Sequence, residues 1–87
     1  MPKQEMEQLL AQLRKEVAGA DSLSDSQRAR MEALREQIEE RLASDEVPPG
    51  ESPRTLVRKQ IDEFQRTHPT LTMVLGRILD SLNKMGI

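Results

Sequence analysis

His68 is the only histidine in the chain, and histidine is the side chain whose ordinary pKa suits a base or pH-responsive group near neutrality. Pro69 follows it and disfavours helical geometry at position 68. Extending the wheel of the preceding segment places His68 near Val57, Ile61 and Phe64, which favours a cap or half-buried corner over a reacting group. Carboxyl pairs occur at Glu39–Glu40 and Asp62–Glu63. Acid–base work needs two carboxyls converging on one cleft with their pKa values pushed apart. Adjacent helical residues instead project about 100° apart, and these pairs sit among arginines and lysines, as on a solvated helix surface. Serines and threonines are frequent, but no nucleophile-elbow motif accompanies the lone histidine. A structural zinc site needs about four Cys or His ligands, and the chain has no cysteine. The residues therefore predict no enzyme, no cofactor and no metal.

Cationic chemistry is the next candidate. Arg54, Arg58, Lys59 and Arg66 form a basic flank on the third helical segment, and that segment, a tight corner and a fourth helix could be read as a helix-turn-helix. The fourth helix, however, is too apolar to read base edges, with Arg77 and Lys84 as its cations. The formal net charge is −2, far from the basic footprint of phosphate-dominated binding. Nucleic acid is disfavoured as a partner. The charge is unevenly spread: residues 1–46 carry 7 basic and 11 acidic side chains, residues 47–87 carry 6 and 4. Two helical units of opposite sign facing each other account for this split.

The elements that hold these groups follow from periodicity and punctuation. With 87 residues the chain is one domain, 1–87, small enough for efficient packing or association to matter. Phe64 is its single aromatic, so the core must be built from Leu, Ile, Val and Met. Met6, Leu9, Leu10, Leu13 and Val17 predict a helix over about 3–18, with Gly19 as a left-handed C-terminal stop. Ser24 and Gln27 form a capping box that opens a helix over about 24–43, with Leu23 placed to pack near its first turn. Its apolar stripe, Met31, Leu34, Ile38 and Leu42, is narrow, nearer a seam than a core face.

The run 44–52 holds two prolines and a glycine and reads as the linker. Ser52-Pro53 opens a third helix, to about 67, with Val57, Ile61 and Phe64 on one face. Leu56 points elsewhere, which implies two neighbours for this helix. The fourth helix covers 69–85, and Gly86 with Ile87 predicts a Schellman ending. Its wheel gathers Leu71, Val74, Leu75, Ile78, Leu82 and Met85, with Leu79, into an arc of roughly 140°. Such a face must be buried, either in a core or against a second chain. The fold class is all-α: four helices in two helical hairpins, one to two and three to four, as a small antiparallel bundle open to dimerisation. No apolar run approaches the ~20 residues that span a bilayer, and the N-terminus lacks the order of a secretory signal. The absence of cysteine suits the cytoplasm.

The segment Met6-Glu-Gln-Leu-Leu-Ala-Gln-Leu-Arg, the acidic second helix, the His68-Pro69-Thr70-Leu71 corner and the Met85-Gly86-Ile87 ending resemble a small bacterial family, domain of unknown function 4404. The resemblance covers essentially the whole chain. It implies a small stand-alone bacterial protein and carries over no catalytic or ligand residue. The expected function is non-catalytic: contact with itself or with another protein, through Leu71, Val74, Leu75, Ile78, Leu82 and Met85 as core or interface. The competing expectation is a nucleic-acid-associated regulator using Arg54, Arg58, Lys59 and Arg66.

Overall fold

A computed structural model describes residues 2–43 and 51–87, and the 44–50 part of the linker lies outside the described residues. Helices α1 (Pro2–Gly19), α2 (Asp25–Ala43), α3 (Pro53–Phe64) and α4 (Pro69–Met85) follow in chain order. They form a ring in which each helix neighbours the next and α4 closes onto α1. Polar contacts fix the directions. Arg30 at the start of α2 meets Glu63 at the end of α3, and Arg54 at the start of α3 meets Asn83 at the end of α4. The molecule is an antiparallel four-helix bundle.

The punctuation acts largely as its chemistry requires. The Gln27 amide N–H donates to Ser24 Oγ at 3.1 Å, and the Ser24 N–H donates to Gln27 Oε1 at 2.9 Å, so two orphan donors are satisfied reciprocally. Ser52 Oγ accepts from the Thr55 N–H at 3.3 Å beside Pro53. Gly86 takes φ 75°, and the Ile87 and Gly86 N–H groups return to the Leu82 and Asn83 carbonyls at 3.0 and 3.2 Å, a Schellman ending.

Two expected boundaries are corrected. Gly86 is the only glycine with positive φ among the described residues, so Gly19 does not stop α1 by a left-handed turn; α1 continues through it. Beyond it the Ala20 and Leu23 N–H groups return to the Val17 and Ala20 carbonyls at 3.3 Å, and the Arg28 guanidinium donates to the same two carbonyls. α3 ends at Phe64 rather than near 67, because the Phe64 carbonyl accepts from both Thr67 and His68 N–H, at 3.2 and 2.9 Å, and folds 65–68 into a tight corner.

Packing is uneven. α4 lies close against both α1 and α3, whereas α2 meets α1 and α3 at wider separation. The hairpin of α3 and α4 is thus tight, and the closest partner of α1 is α4 rather than α2. α4 buries Leu71, Val74, Leu75, Ile78, Ser81 and Leu82, while α2 buries only Met31, Leu34 and Ile38. Ser81, on the polar side of the sequence wheel, is 1% exposed, and its hydroxyl has no partner. At about 100° per residue it lies some 160° from Asn83, which faces α3. Ser81 therefore sits on the α1 flank, where a small side chain lets two helices approach closely.

Candidate functional site

Leu71, Val74, Leu75, Ile78 and Leu82 are 0–3% exposed within a single chain, and Met85 is half-buried against them. The broad face of α4 is therefore spent on the core. A surface for function has to be sought elsewhere, and three places present themselves.

The first is the His68 corner. The fold brings Ser22, in the turn between α1 and α2, to within 2.7 Å of His68 Nε2, while Thr67 Oγ1 stands 2.8 Å from Nδ1. The ring meets Phe64 edge-on, centroids 5.5 Å apart. An open cleft of about 420 Å³ surrounds it, lined also by Glu16, Asp21 and Thr70. A serine hydroxyl on an imidazole nitrogen has the geometry for proton transfer. The group facing Nδ1 is a hydroxyl, however, which cannot stabilise an imidazolium as a carboxylate does, and Ser22 and Thr67 are both exposed. The arrangement ties the two turns at this end of the bundle together. Ser22 could not be found from sequence, because only the fold brings it across 46 residues.

The carboxyl pairs do not converge. Glu39 is bound by Arg35 at 2.8 Å and Glu63 by Arg30, while Glu40 and Asp62 are exposed. Arg35 also binds Glu32. That hydrogen bond, helped by the charges of Arg35 and Arg14, holds the Glu32 carboxyl below its ordinary range. The same bond leads the causes that push the Arg35 pKa upward. The basic flank is likewise divided. Arg54 donates to Asn83 at 3.3 Å, Lys59 pairs with Glu51 at 2.7 Å, and Arg58 and Arg66 are exposed. Among the described residues there is no group of three or more His, Cys, Asp or Glu placed to hold a metal. None of the described helices is long and apolar enough to cross a membrane.

The second place is the seam between α1 and α2, a cleft of about 380 Å³ with a mixed lining that includes Lys3, Glu7 and Glu39. The third is the seam between α2 and α3. There Ala33, Leu34 and Gln37 face Leu56 and Gln60 across a groove of about 220 Å³, with Arg30 at its edge. Gln60 Oε1 is shielded from solvent and has no hydrogen-bond partner. Ala33 and Gln37 are exposed, and Leu56 and Gln60 are half-buried. Leu56 is the residue whose off-face position in the sequence signals a second neighbour; Ala33, Gln37 and Gln60 carry no such signal.

No curated protein and no solved structure matches this chain. A family model described as Domain of unknown function (DUF4404) matches residues 6–87, from the first buried methionine of α1 to the Ile87 ending. The chain belongs to that family.

Proposed function

We propose that this protein is a non-catalytic helical module that works by protein–protein contact, and that the seam between α2 and α3 is its contact surface. The observation that carries this reading is the groove over Leu34 and Leu56, bordered by uncharged Ala33, Gln37 and Gln60 in a chain that is 32% charged. α2 packs most loosely against its two neighbours, so its outward flank is the surface most free to take a partner. Helix-in-groove docking uses such an apolar floor, here with Arg30 at one edge. The cysteine-free composition and the family resemblance support a bacterial cytoplasm as its setting.

The test is site-specific photo-crosslinking in cells. A benzophenone side chain replaces Gln37, and a second variant carries it at Asp80, on the outer face of α4. Adducts at 37 but not at 80, whether with a second copy or another protein, support the reading. Equal labelling at both positions, or none at either, overturns it. The nucleic-acid alternative gains no specific support, since the four cations of the flank do not form one unpaired patch.

A further inference from the structure

We propose that the α2–α3 groove is covered by a second copy of this chain, with α2 of each copy lying over α3 of the other about a twofold axis parallel to the helices. This rests on the contact reading above and names the partner.

The register argues for it. Arg30 meets Glu63, so counting equally along the two antiparallel helices sets Ala33 level with Gln60, Gln37 with Leu56, and Glu36 with Val57. A twofold axis parallel to the helices preserves these heights. It therefore brings Glu36 of one copy to within two residues, or about 3 Å of rise, of the partner subunit's Lys59. Glu36 and Lys59 are both exposed, and the bond of Lys59 to Glu51 is a solvated pair of small value. Glu36 and the partner subunit's Lys59 are then opposite in charge, and the twofold axis repeats the pair across a self-matching interface.

The middle of the face is suited to closure. Ala33 is small and exposed, so a neighbouring helix can approach without displacing side chains. Gln60 Oε1 has already lost solvent, so covering the groove adds no further desolvation of that atom. α3 has 12 residues, a length of about 18 Å. The face is thus roughly 400 Å² per copy, smaller than a standard specific interface, so the dimer is a weak one with a dissociation constant of about 100 µM.

Light scattering of the full chain tests this from about 10 µM to about 1 mM, the range in which such a small face associates. The molar mass should rise from 9.9 kDa towards twice that value. Ala33→Glu should hold the chain monomeric with an unchanged helical circular dichroism spectrum. Glu36→Lys and Lys59→Glu should each weaken association about 5-fold, and the double variant should restore it. A wild-type monomer throughout, a dimer unaffected by Ala33→Glu, or a charge swap without restoration overturns the proposal. Monomeric behaviour combined with a Gln37 adduct to a different protein sinks the homodimer while the contact reading stands.

Discussion

Arg28, in the second half of the capping turn of α2, donates through Nη1 to the carbonyl oxygen of Val17 at 2.6 Å. Its Nη2 donates to the Ala20 carbonyl, also at 2.6 Å. One guanidinium thus adds a second, charged donor to two carbonyls that also accept from the Ala20 and Leu23 N–H groups at 3.3 Å, and ties the first turn of α2 to the end of α1. Arg28→Ala should lower stability by about 1.5–3 kcal/mol, the range for part-buried bonds to a charged donor. Arg28→Lys should recover only part, because an ammonium lacks the planar fork. Urea unfolding with an unchanged slope checks both; a midpoint shift within error for Arg28→Ala would contradict the assignment.

The His68 corner separates two contributions. Ser22→Ala removes one exposed hydrogen bond and should cost under about 1 kcal/mol. His68→Ala removes that bond, the Thr67 contact and the edge-on packing against fully buried Phe64, for about 1–2 kcal/mol in total. Chemical denaturation of both variants measures the difference. The Ser22–His68 pair also allows a direct check on the non-catalytic reading: activated-ester hydrolysis by the wild type should equal that of Ser22→Ala.

Most of the fold was legible because the chain punctuates itself locally. The Ser24–Gln27 box, Ser52-Pro53 and Gly86-Ile87 each act over three to five residues, so their geometry follows from neighbours in sequence. The end of α1 was not legible, because its partner Arg28 lies 11 residues from Val17 and reads as one more charge on a polar helix. The burial of Ser81 was missed for a related reason. A wheel ranks side chains by polarity, whereas close approach of α1 and α4 selects for small size. For the candidate surface, the lone off-face Leu56 was a real signal. The pairing of Gln37 with Leu56 and Ala33 with Gln60 depends on register between helices, which composition does not encode.

Ser81 gives a test of that size argument. Its hydroxyl is buried without a partner, so Ser81→Ala should leave stability unchanged or raise it by up to about 1 kcal/mol. Ser81→Leu overpacks the same flank and should lose about 1–3 kcal/mol. Thermal melts of the two variants should therefore move in opposite directions or differ clearly in size. Leu75→Asp and Ile78→Asp, at fully buried positions, should each unfold the chain, seen as loss of helical circular dichroism.

The acid limb of stability carries a signature of Glu32. Its pKa is lowered from the ordinary 4.5, first by the hydrogen bond from Arg35 and further by the charges of Arg35 and Arg14. A carboxyl depressed in the folded state stabilises fully above its unfolded pKa, and that contribution is lost as pH falls through the folded value. The loss for Glu32 therefore begins near pH 4.5 and continues below it. Because the group is exposed, the effect is small and salt-sensitive. Glu32→Gln should melt slightly below the wild type at neutral pH and low salt, and the two curves should converge as pH falls below 4.5 or as salt rises. A gap that is constant from pH 7 to below the folded value would mean that Glu32 acts on stability through something other than its charge. Arg35 would then keep Glu39 alone as its ionic partner.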